Sequence, residues 1–184
     1  MSGISKTGLR RFDLRAVLVL SLAALSTIVA SPPASAQDIN AAVLRIDYPS
    51  LLPLSRLDLP AENRGFAGAR LATDDNRTTG QFMGQTYATK EVHVTPDKAV
   101  ESFRALMDEG TRLVVVIADS ADLLAMADAA PSDALLLNAA SGDTTLRSAQ
   151  CRANVLHVAP SDAMRTDAVA QFLVWKRWDD WFLI

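Results

Sequence analysis

The sequence predicts an α/β fold, a doubly wound parallel sheet with helices on both faces. Two observations carry this. Leu113 to Ile117 (LVVVI) is an unbroken, β-branched apolar run, as a strand buried on both faces requires, whereas a strand with one wet face alternates. Thr111 to Asn138 then encodes a strand, a sharp turn, a helix and a second strand in succession, and the rest of the chain repeats that alternation.

Taken in order, Ala41 to Ile46 (AAVLRI) reads as the first strand. Asp47 to Pro60 contains Pro49, Pro53 and Pro60 among several leucines, and is expected to form an apolar loop over the sheet edge. Gly65 to Asn76 is helical, with Gly65, Ala69 and Ala72 as a small-residue face; Thr79-Gly80 and Gly84 mark turns. Tyr87 to Val94 alternates loosely, as suits a strand near the sheet edge. Thr95 and Pro96 open a helix with Val100, Phe103, Leu106 and Met107 on its apolar side, and Gly110 closes it.

After Leu113 to Ile117, Ser120 is expected to cap the next helix with its hydroxyl, Asp122 to sit at that positive end, and Leu123, Leu124 and Ala127 to face the core until Pro131 stops the helix. Ala134 to Leu137 begins another strand, and Ala139 to Asn154 has no pattern. Val155 to Val158 is a further strand. Ser161 caps a helix whose Met164, Ala168, Phe172 and Trp175 form an apolar face, and Trp181 to Ile184 starts one more strand.

Residues 1–36 are expected to lie outside the fold. Lys6, Arg10, Arg11 and Arg15 form a basic region, Ala16 to Ala30 an apolar core shorter than the roughly 20 residues that span a bilayer, and Ala34-Ser35-Ala36 a small-residue cleavage site. This is the pattern of a cleavable signal peptide, which places the mature chain, 37–184, in the periplasm. The formal net charge is −3; the leader's four basic residues against Asp13 account for +3, so the mature part carries −6. An acidic exported chain is a poor nucleic-acid binder. Cys151 is the only cysteine, read as a buried thiol in preference to a half-bridge lacking its partner.

Covalent chemistry has little support. The chain lacks a GxSxG elbow, a strand-following GxGxxG and a GxxxxGK[ST] loop, and with two histidines and one cysteine it offers no zinc set; no cofactor or metal is expected. Asp74-Asp75 is read as a solvated helix end, His157 as a satisfied core histidine, and Trp175, Trp178 and Trp181 as packing or interface residues. The loops 118–121 and 138–142 follow the carboxyl ends of strands, where open α/β sheets bind ligands. There Ser120 and Ala121 offer a hydroxyl and helix-start N–H groups to a polar group, while the charge of Asp119 opposes a carboxylate and favours a hydroxyl or ammonium.

Gly68-Ala69-Arg70-Leu71-Ala72 through Asp75-Asn76, then Thr79-Gly80 and Gly84-Gln85, resembles the first helix and turn of periplasmic solute-binding proteins of the branched-chain amino-acid type. Leu57 to Gln85 and Cys151 to Ile184 resemble more closely the ABC-transporter substrate-binding proteins associated with PQQ-dependent alcohol oxidation. The resemblance implies the Rossmann-like first lobe of a type 1 periplasmic binding protein, in residues 37–184, with the second lobe largely missing. It implies capture of a small polar solute and delivery to the membrane permease of an ABC transporter, with a periplasmic quinoprotein dehydrogenase as a further partner. The alternative is a non-transport accessory or sensor module contacting such a dehydrogenase. On the family's pattern, Asp119, Ser120 and Ala121 fall in the first ligand loop and Ala139, Ala140 and Ser141 in the second; Ala118-Asp119 stands where the family usually has Gly-Pro.

Overall fold

The computed structural model describes residues 37–49, 55, 59–178 and 180. The expected leader, most of the proline-rich loop and the strand expected from Trp181 lie outside these residues. Five parallel strands, β1 (Gln37–Ile46), β2 (Gln85–Val94), β3 (Leu113–Ile117), β4 (Leu135–Asn138) and β5 (Val155–His157), form one sheet in the order β2-β1-β3-β4-β5. The helices are α1 (Phe66–Met83), α2 (Ala99–Asp108), α3 (Ser120–Ala129) and α4 (Asp162–Lys176).

Side chains alternate across β1, and the two sets meet different helices. Ala42, Leu44 and Ile46 join Val114, Val116 and Leu136 beneath Phe103 and Leu106 of α2 and Leu123 and Met126 of α3, and all of these are buried. The opposite face belongs to α1. There Thr73 bonds Thr89 (2.6 Å), and Arg70 bonds Glu91. This division follows from the strand order: β1 to β2 steps one way along the sheet and β2 to β3 to β4 the other, so right-handed crossovers put α1 on one face and α2 and α3 on the other. The doubly wound expectation holds, as does the edge position of β2.

Four local expectations are corrected. The first helix does not stop at Asn76; it runs to Met83, so Asp74 and Asp75 lie mid-helix in solvent and Thr79-Gly80 is no turn. Gly80 is there for close approach, since a Cβ would stand 2.7 Å from the Gln85 carbonyl and 2.8 Å from the Tyr87 ring, and Gly84, at φ 67°, makes the actual stop. Ser120 is not the cap: Asp119 holds the N-cap position, with no side-chain cap bond, and Ser120 is the first helical residue. Cys151 is exposed, in the loop before β5. No residue of α4 is buried among the described residues, although Ser161 caps it as expected by accepting from the Met164 N–H (3.2 Å); Met164, Phe172 and Trp175 of its apolar face are exposed. Thr95 precedes a short 3-10 turn (Pro96–Lys98) with Pro96 at its first position, and α2 proper begins at Ala99.

Candidate functional site

The reversal of strand order falls between β1 and β3, and at their carboxyl ends three segments converge: Asp47-Tyr48 after β1, Asp119 to Ala121 after β3, and Asn138 to Ser141 after β4. The Ser120 and Ser141 hydroxyls stand 2.9 Å apart, so the two expected loops do meet.

The second loop is built by Asn138. This residue is fully buried, and its side-chain oxygen accepts from the N–H groups of Ala140 (3.2 Å) and Ser141 (2.9 Å) while its amide donates to the Ser141 carbonyl (2.8 Å). The Ala139 N–H donates to the Val116 carbonyl (3.0 Å). The backbone N–H groups of Ala139, Ala140 and Ser141 are thus turned inward, and this loop presents the Ser141 hydroxyl instead. A polar residue closing the apolar run LLLN was the available signal for Asn138.

The first loop is anchored from β1. The Tyr48 hydroxyl accepts the Asp119 N–H (2.9 Å) and donates to the Asp122 carboxylate, which satisfies the N-terminal end of the loop without the Asp119 side chain. Burial, reinforced by Asp122, pushes the Tyr48 phenol well above its usual range. The α3 first turn keeps Ser120 and Ala121 without a side-chain cap. Asp143, opposite, accepts from the Thr145 N–H (2.9 Å); that bond, with the Thr145 and Ser120 hydroxyls, holds its carboxyl below the ordinary carboxylate range. Asp119, Asp122 and Asp143 therefore frame the Ser120–Ser141 pair with negative charge, against roughly +0.5 from the helix end.

A second concavity, an open pocket of about 620 Å³, lies on the α1 side and was not anticipated. At its floor Arg45 is buried over the Phe66 ring (4.7 Å to its centroid), donates to Asp47 (2.7 Å), and donates to the carbonyls of Glu62 (2.9 Å) and Arg64 (3.0 Å). The guanidinium, helped by His93, draws the Asp47 carboxyl below its usual range. An arginine inside the run AAVLRI was the sequence signal. Arg45 ties the chain entering α1 to the end of β1, and all its described bonds are internal. Among the described residues no cluster of His, Cys, Asp or Glu could hold a metal, and no helix is long and apolar enough to cross a membrane.

Residues 59–184 match the family model of the periplasmic binding proteins. The chain belongs to that family. Solved structures with the same fold include a possible leucine/isoleucine/valine-binding protein from Rhodopirellula baltica SH 1 (TM-score 0.57, 19% identity, 79% of this chain and 38% of that one). A leucine-, isoleucine-, valine-, threonine- and alanine-binding protein from Brucella ovis in its closed conformation also matches (TM-score 0.59, 19% identity, 77% and 37%), as does an ABC transporter substrate-binding protein from Desulfitobacterium hafniense (TM-score 0.59, 17% identity, 76% and 39%). This periplasmic binding protein chain spans less than two fifths of the length of those structures. No curated protein matches it.

Proposed function

We propose that the chain is the solute-capturing part of an ABC transport system, using the rim formed by Asp119, Ser120 and Ala121 with Ala139, Ala140 and Ser141. The observation that carries this reading is the meeting of Ser120 and Ser141 at the sheet's switch point, in a member of a family of binding proteins. Residues 37–184 act as the first lobe of a clamshell whose closure completes the ligand shell, the solute passes to a membrane permease, and no covalent step is involved. Residues 1–36 direct the chain to the periplasm. The resemblance of Cys151 to Ile184 supports an assignment to the subgroup tied to PQQ-dependent alcohol oxidation.

The charge around the hydroxyl pair favours a solute that presents a hydroxyl or ammonium group over one that presents a bare carboxylate. Amide-resolved NMR on the full chain tests the reading with isobutylamine, isobutanol and isobutyrate, which share one apolar tail. Shifts concentrated at Ser120, Ala121 and Ser141 are expected with the first two. Shifts absent from those residues with all three would overturn it.

A further inference from the structure

We propose that His157 is a positioning residue for the 139–141 loop, holding the Asn138 side chain in the one orientation that builds the loop, and that protonation of His157 releases it. The geometry fixes the proton. Because the Asn138 oxygen accepts from the Ala140 and Ser141 N–H groups, its NH₂ is the end that faces His157 Nδ1, at 3.1 Å. The ring nitrogen must then accept, so the imidazole is neutral and carries its hydrogen on Nε2. A second proton at Nδ1 would set donor against donor inside a packed site. The amide of Asn138 could answer only by turning over, which would set its NH₂ against the Ala140 and Ser141 N–H groups and break the loop.

The surroundings favour the neutral ring. Burial is the main influence, Arg147 from the 3-10 turn Thr144–Arg147 adds like charge, and the Leu146 carbonyl opposes both weakly from outside hydrogen-bonding geometry; together they lower the His157 pKa below its ordinary 6.5. His157 Nε2 and Arg147 Nη1 are buried without hydrogen-bond partners among the described residues, so a charged ring gains only the Leu146 carbonyl's influence. The other groups lining the small space beside the ring are Arg152, which is paired to Asp128, Gln150, and the apolar Leu123, Leu124, Leu146 and Val155. Among the described residues, no carboxylate lines that space. Asp143 accepts from the Thr145 N–H, and the Asp162 carboxylate stands against Gly142.

The consequence for solute rests on the function proposed above, because this loop carries Ser141; the positioning itself needs no solute. An NMR titration of the full chain from pH 8 to 5 tests it. The Ala140 and Ser141 amide resonances are expected to shift together, with the midpoint of the His157 ring resonance and below pH 6.5. His157→Asn, whose side-chain oxygen can stand near the place of Nδ1 and cannot be protonated at these pH values, should keep the wild-type loop resonances at pH 8 and abolish their titration. His157→Leu should show displaced loop resonances at every pH; should it not fold, His157→Asn decides alone. Loop amides that stay still while the ring titrates, or that titrate unchanged in His157→Asn, would overturn the proposal and leave solute binding untouched. A titrating loop in a chain whose rim ignores all three solutes would instead sink the transport reading alone.

Discussion

Tyr48 and Asp119 are joined across the sheet's switch point: the tyrosine hydroxyl, carried by the segment after β1, accepts the N–H that opens the turn into α3. The same hydroxyl donates to Asp122, so one oxygen fixes two elements far apart in sequence. Tyr48→Phe keeps the ring's packing and removes both bonds, one of them to a charged group. It should cost about 1–3 kcal/mol, read as a lower urea midpoint at unchanged slope. The phenol pKa is raised in the folded state, so its contribution is complete below the unfolded value near 10 and is lost as pH rises beyond it. Wild type should therefore lose stability above about pH 10 more steeply than Tyr48→Phe.

Arg45→Lys tests the floor of the larger pocket. A lysine keeps the charge but cannot reach Asp47 and the carbonyls of Glu62 and Arg64 together, nor stack flat on Phe66. A loss of about 2–4 kcal/mol in chemical denaturation is expected, with faster hydrogen exchange at Arg64 to Ala67, the entry to α1. A change within half a kcal/mol would show that the turn holds itself.

Two glycines of one helix should respond with opposite signs. A Cβ at Gly68 would meet nothing within 4 Å, so Gly68→Ala should gain roughly 0.5–1 kcal/mol from helix propensity. Gly80 faces the Gln85 carbonyl and the Tyr87 ring at under 3 Å, and backbone cannot yield cheaply. There Gly80→Ala should lose about 1–3 kcal/mol despite the same propensity gain. Melting temperatures moving the same way for both would contradict the close packing of α1 on β2.

Asp119→Asn removes one charge from the rim while keeping its shape. Relative affinity for isobutyrate over isobutylamine should rise about tenfold, on the order of 1.4 kcal/mol, in NMR titrations of both proteins. An unchanged ratio would remove Asp119 from the site.

Export predicts a mature chain that begins at Gln37, after the Ala34-Ser35-Ala36 site. The intact mass of the protein from a periplasmic fraction checks this. A mass that retains the basic residues Lys6 to Arg15 would count against it.

The sheet was legible because parallel strands are written as apolar runs, and LVVVI and ALLL need no partner to be recognised. Helix ends were less so. Gly80 looked like punctuation because a glycine needed for close approach and one needed for a turn are the same letter, and only Tyr87 lying against it tells them apart. The two loops expected to meet a solute could be placed from the ends of β3 and β4, yet their geometry depends on partners distant in sequence: Tyr48 for Asp119, and His157 for Asn138. Those pairings leave no local pattern. Cys151 was read as buried from the habits of cysteine, and its loop simply runs over the surface.

The place of β1 in the sheet bears on how the protein comes into being. It is the first strand of the described residues, but it is paired on both sides, with β2 through Val43 to Glu91 and with β3 through Val43 to Val115. Parallel neighbours cannot close as a hairpin; each waits for a helix to cross over, which makes assembly slow and keeps pairings distant in sequence. Until residues through Ile117 have left the ribosome, β1 can hold at most one of its two neighbours. The sheet's centre therefore cannot close before β3 has been made, although its own strand is in place from the start.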